Sequence, residues 1–146
     1  MISKTKPENY NQKFEIISCF VECDGKLLLL HRQDHKPQGN TWGVPAGKVH
    51  KDDTSLTSAL AREVFEETGL SIDENEFKFF NKYYVRYFDY DFVYHIFSCS
   101  FDKFPEISHS PDEHKDYKWV TPKEALTMDL IQDEDFCIKN YYKIYE

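Results

Sequence analysis

The chain is short of basic charge, of cysteine and of any long apolar run, and each shortage removes a class of function. Its 146 residues carry 18 Lys and Arg against 26 Asp and Glu, a formal charge of −8. Gripping a nucleic-acid backbone takes Lys and Arg at several phosphates, so a nucleic-acid duplex is not an expected partner. Only four cysteines occur, Cys19, Cys23, Cys99 and Cys137, with no CxxC pair. Free buried thiols are therefore expected in place of a zinc site or a disulfide framework. The longest wholly apolar stretch, residues 27–30, is far below membrane-spanning length, and residues 1–14 are polar throughout. No membrane partner and a cytoplasmic location are the expectation.

Rings, in contrast, are plentiful, with 12 Phe, 10 Tyr and 2 Trp, so the core and any cleft should be aromatic. One domain is the default at this length: residues 1–12 read as a tail or arm and residues 13–146 as the domain. Residues 14–23 are β-rich, Asp24-Gly25 is a two-residue hairpin turn, and residues 26–30 return as a strand covered on both faces. Further strands are expected over residues 77–80, 83–88 and 92–101, and in the stretch ending at Val120. Tyr83, Val85 and Tyr87 share one side of their strand, which makes Tyr83 and Tyr87 candidates for stacking on a substrate. Arg32, directly after a strand, is a candidate bidentate partner for phosphate. Thr121-Pro122-Lys123-Glu124 has the pattern of a capping box with Pro at N1, and residues 134–145 read as a terminal helix.

Residues 56–68 hold no Gly or Pro. Asp53, Thr54 and Ser55 precede them as N-cap candidates, and Gly69 follows as a stop. On a helical wheel Leu56, Ala59, Leu60 and Val64 form the core-facing arc. Glu63 and Glu67 fall inside that arc and Glu66 on its edge. A charge turned toward a core must be paired, bound to metal or neutralised. Carboxylates at i, i+3 and i+4 share one face and repel one another without a cation. Hard oxygen ligands of this kind suit Mg²⁺, or Mn²⁺. A solvated, salt-bridged helix end is the other reading, and these residues alone leave both open.

The stretch REVFEETGL at residues 62–70 resembles the core of the Nudix hydrolase signature: Arg62, Glu63, Val64, Glu66, Glu67, Gly69 and Leu70 match it in type and spacing. Gly47 matches the leading Gly, and Trp42 and Pro45 match the stretch before it, with Ala46 in place of a Gly. The front half departs, because Asp53 stands where the family has Glu and one extra residue separates it from Arg62. His50, where the family often has Glu, reads as an exposed loop histidine.

The resemblance implies an α+β fold, an α-β-α sandwich with a mixed β-sheet flanked by helices. It implies a Mg²⁺-dependent hydrolase of a phosphoric anhydride, acting on a small phosphorylated substrate: a nucleoside diphosphate linked to another moiety. Glu63, Glu66, Glu67 and the carbonyl of Ala46 would hold the ion. The catalytic group would be Glu66, Glu67, Glu113 and Arg62. One of the carboxylates would take the proton from water, and Arg62 would tie the helix to the preceding loop and orient a glutamate. Glu113 is the best match to a family Glu before the final strand, with Asp112 and Asp116 beside it. Family members often dimerise, so a homodimer is compatible. Two alternatives remain, a ligand-binding module with a degenerate signature and an isoprenyl-diphosphate isomerase-like enzyme. The isomerase needs a cleft cysteine, for which Cys19 and Cys99 are the strand candidates.

Overall fold

The computed structural model describes residues 1–87 and 90–144. Alternating side chains build its centre. Strand β2 (Gln12–Cys23) turns through Asp24 and Gly25, both at positive φ (51° and 73°), into β3 (Lys26–Arg32). Positive φ at both central positions is what a type I′ hairpin turn requires, and Asp-Gly supplies it. Within β3, Leu28 and Leu30 point into one core while Leu27 and Leu29 point into another, and all four are fully buried. Burying each contributes about 1.5–3 kcal/mol, so the uniformly apolar run is a strand covered on both faces.

Two very short strands, β4 (Trp42–Gly43) and β5 (Ala46–Lys48), follow the polar loop. That loop, between β3 and β4, is confined to residues 33–41, because β3 continues to Arg32 and Trp42 rejoins the sheet. Then come helix α1 (Leu56–Thr68), a single 3₁₀ turn (Glu74–Glu76), β6 (Lys78–Arg86), β7 (Asp91–Phe101) and β8 (His114–Val120). The chain closes with α2 (Pro122–Ala125) and α3 (Glu134–Tyr142). The two short strands expected over residues 77–80 and 83–88 are one element, β6, with a register shift between Phe79 and Asn81. Phe88 lies outside the described residues, as does Tyr145 of the expected terminal helix. The described part of that helix ends at Tyr142, with Lys143 in the left-handed region.

The eight strands form one mixed sheet, in the order β1-β6-β7-β2-β3-β4 with β5 on β2 and β8 on β3. Strand β1 is Ile2–Ser3, which pairs with β6, so the expected tail or arm extends the sheet. Its start is held by the terminal ammonium, which donates to the Arg86 carbonyl at 2.8 Å. Among the described strands β2 and β7 are the pair that runs parallel. One face of the sheet packs against Ala59, Leu60 and Val64 of α1. The other packs against Ala125 of α2 and Cys137 and Ile138 of α3. The architecture is the expected α-β-α sandwich. All four cysteines are free and buried, and Cys19 and Cys99 meet at 3.6 Å in the α1-side core. No helix among the described residues is long and apolar enough to cross a membrane.

Candidate active site and metal centre

Helix α1 starts at Ser55, whose side chain accepts from the Ser58 N–H at 3.0 Å, and stops at Gly69 (φ 76°), which donates to the Phe65 carbonyl. These caps fix the phase of the helix against the sheet. Glu67 is consequently buried, at 3% exposure, and Glu63 is nearly so, while Glu66 lies about 100° around the helix from Glu67 with its side chain 56% exposed. Glu63 and Glu67 line a cavity of about 490 Å³ together with Ala46, Gly47, Arg32, Glu113 and His114. Glu66 does not line it. The expected triad is therefore a pair on α1, joined from across the cavity by Glu113.

The strap between β4 and β5 holds both ends of the cavity. The Ala46 N–H donates to the Glu67 carboxylate at 3.3 Å, and the Val44 N–H donates to Glu134 Oε1 at 2.9 Å. Ala46 does this with an ordinary negative φ, as an alanine must. A Cβ at Gly47 would overlap the Glu63 carboxyl, so a side chain there would push that group aside.

Arg62 does not line the cavity; within the group named with it, it has the contacts of a tie that joins helix to loop and orients a glutamate. It donates to both oxygens of Asp53 (3.2 and 3.0 Å), to the Lys48 carbonyl (3.2 Å) and to Glu63 Oε1 (2.7 Å). Asp53 also accepts from the His50 N–H at 2.6 Å, so the residue at the divergent signature position braces the loop against α1.

Tyr87 lines the cavity and Tyr83 does not. Tyr83 is fully buried and meets Phe136 edge-on at 5.4 Å. The two tyrosines share a sheet face, but α3 covers Tyr83, so the expected substrate contact there is corrected to a core role. Arg32 is at the cavity, its Nε donating to the Pro37 carbonyl at 2.9 Å. The isomerase reading loses its strand candidates, since Cys19 and Cys99 face the core.

Two cavity residues escape the sequence pattern. Ligand atoms of His114, Glu67 and Glu113 all lie within 4.8 Å of one another. Alternation from Tyr117 and Trp119, which face the α1 side, puts His114 on the opposite face. The pairing with β3 slips, however: His31 faces Asp116 while Arg32 faces His114. Lys115 is the extra residue, and such a bulge turns His114 to the α1 face. Glu134 sits at the other end of the cavity, where the terminal-helix reading gave it only the role of a first-turn residue.

Electrostatics separate these groups. Burial, then the charges of Glu63 and Glu113, push Glu67 well above the usual carboxylate range. Burial raises Glu63 too, partly offset by Arg62. His114 is lowered to about 4 by burial and then by Arg32, so its imidazole is neutral. Glu134 is raised to about 7 by burial alone in the main, and its Oε2 is buried without a partner. The group around Glu67 fits a divalent cation, because it combines a desolvated carboxylate, a second carboxylate and a neutral imidazole.

A family model described as NUDIX domain matches residues 14–140. The chain is 29% identical to a CTP pyrophosphohydrolase of Escherichia coli, over 80% of this chain and 82% of that protein. It is 28% identical to a dihydroneopterin triphosphate diphosphatase of Haemophilus influenzae, over 90% and 87%. In three dimensions it is similar to a MutT protein from Methanosarcina mazei (TM-score 0.74, 22% identity, covering 89% of this chain and 92% of that one). It is also similar to the NUDIX domain of Shewanella oneidensis NrtR in complex with ADP ribose (TM-score 0.78, 18% identity, covering 95% and 92%).

Proposed function

Because the chain belongs to the NUDIX family, a family of hydrolases of phosphoric anhydrides, we propose that it is a divalent-metal-dependent pyrophosphohydrolase. Its substrate is a nucleoside diphosphate linked to another moiety, a class that includes the CTP named for one relative, while the pterin triphosphate named for the other shares the phosphoric anhydride. The observation that carries this is the convergence of Glu63, Glu67 and Glu113 on one cavity that Arg32 also lines.

Glu63, Glu67 and Glu113 would hold Mg²⁺ or Mn²⁺, with the Ala46 carbonyl in reach of the same group and Glu66 at the solvent rim. Such an ion, when bound, neutralises diphosphate charge and lowers the pKa of water. The chain's own residues supply the rest. Arg32, anchored through Nε, keeps its terminal nitrogens for phosphate oxygens. Glu113, exposed at the rim, would hold the ion through one carboxylate oxygen and have the other to accept a proton from attacking water and release it to solvent. Tyr87, Phe92 and Tyr94 wall the far end of the cavity and offer ring surface for a planar group.

A panel of diphosphate compounds, including CTP, dihydroneopterin triphosphate, nucleotide sugars and ADP-ribose, assayed with Mg²⁺ and with Mn²⁺, tests the reading. Ion-dependent cleavage of at least one compound at its phosphoric anhydride is expected, giving a monophosphate with pyrophosphate from a triphosphate or with a sugar phosphate from a nucleotide sugar or ADP-ribose. No turnover with either ion across the panel would leave the binding-module reading in its place.

A further inference from the structure

The acidic end of the cavity, on which the proposed hydrolysis rests, contains one donor that a cluster of carboxylates does not explain. His114 is 5% exposed, lines the cavity, and has a buried Nδ1 without a partner. Buried imidazole nitrogens ordinarily find partners. Its ring shares the 4.8 Å group with Glu67 and Glu113. Donors bound to one ion at about 2.1 Å stand no more than about 4.2 Å apart, a span that side-chain rotation can reach from a group already within 4.8 Å.

The local backbone is built for this placement. The Glu113 and His114 N–H groups both donate to the Ser110 carbonyl, at 3.2 and 2.9 Å, and the Gln33 N–H donates to the Glu113 carbonyl at 2.9 Å. Those bonds fix two successive residues, and the bulge at Lys115 turns the second of them toward α1. A bulge interrupts a ladder and is found where a side chain has to be re-aimed.

We propose that His114 is a nitrogen ligand to the divalent ion, and that the site therefore takes a first-row transition-metal cation such as Mn²⁺, Co²⁺ or Zn²⁺ in preference to Mg²⁺. A nitrogen donor adds affinity for these ions, least for Mn²⁺ and more for Co²⁺ and Zn²⁺, whereas Mg²⁺ favours carboxylate, carbonyl and water oxygen alone. The selectivity thus comes from one histidine outside the acidic helix.

The test is equilibrium binding to the metal-free full chain, with MnCl₂ and MgCl₂ titrated calorimetrically and bound Mn²⁺ examined by pulsed EPR. Wild-type protein should bind Mn²⁺ more tightly than Mg²⁺ and show ¹⁴N coupling at the bound Mn²⁺. His114→Gln should abolish that coupling and weaken Mn²⁺ by at least about tenfold, while changing Mg²⁺ affinity by less than about threefold. Should the variant fail to fold, ¹⁵N-histidine labelling of a His50→Gln chain decides the point, because His50 also lines the cavity and the label must then replace the ¹⁴N pattern through His114. Bound Mn²⁺ without nitrogen coupling, or equal losses for both ions, overturns the role of His114 and leaves the hydrolase reading intact. Failure of either ion to bind at all would remove the hydrolase reading itself.

Discussion

Two buried glutamates, Glu67 and Glu134, hang from the same strap, two residues apart, and they resolve their burial in different ways. Glu67 accepts from Ala46, Glu134 from Val44, and both are almost wholly shielded from solvent. Around Glu67 stand Glu63, Glu113, His114 and Arg32. Around Glu134 stand Gly43, Ile131, Cys137 and Tyr94, with Asp135 as its charged neighbour. A solitary buried carboxyl is neutralised by taking a proton as its pKa rises. A cluster of them beside an imidazole is suited to a metal ion. The comparison separates a site from a merely buried acid, although both lie in one cavity.

The largest effect should come from Glu67→Gln. We expect kcat in the pyrophosphohydrolase assay to fall by about 10³-fold, with the fold retained by circular dichroism, because an amide keeps the contact to Ala46 and loses the charge. Activity within tenfold of wild type would erase the distinction between the two glutamates. Gly47→Ala should follow at about 10²-fold, since its Cβ would occupy the place of the Glu63 carboxylate. A full-activity alanine variant would show that Glu63 is free to leave the cavity.

Glu134→Gln tests the other end through stability. A carboxyl raised from 4.5 to about 7 in the folded state favours folding most below pH 4.5, where both states are protonated. That advantage is lost as pH rises toward 7. The substitution should remove this decline, so chemical denaturation at pH 8 should find the variant more stable by on the order of 2 kcal/mol, against no gain near pH 4. Equal stability at both pH values would mean that Glu134 is not held protonated. The smallest effect belongs to Asp53→Ala, which removes the brace on Arg62. We expect about a tenfold drop in kcat/KM with Mn²⁺ affinity little changed. A loss as deep as that of Glu67→Gln would place Asp53 in the metal group.

Much of this geometry was legible in the residues. The helix over residues 56–68, its Gly69 stop, the Asp24-Gly25 turn and the capping box at Thr121 all rest on local chemistry, and each occurs where that chemistry puts it. Glu63 and Glu67 were readable as inward because helical phase relative to Leu60 and Val64 is a local property. Glu66 was harder to place, since a residue on the edge of the arc goes in or out by how the helix rolls on the sheet. Tyr83 was misplaced for another reason: strand parity shows which residues share a face, while only the docking of α3 decides which part of that face is covered. Arg62 was readable as a tie, but its hold on Asp53 depends on the path of a loop with one extra residue.

The sequence by itself determined the main helix, the long strands with their caps and turns, and the acidic pair, because helix phase, strand alternation and caps act over a few residues. Tertiary structure decided the rest. The slip at Lys115 gave His114 to the cavity, α3 took Tyr83 from it, and the strap fixed two glutamates to opposite fates. Register between strands and docking between layers are set by contacts far apart in the chain, where local pattern has no reach.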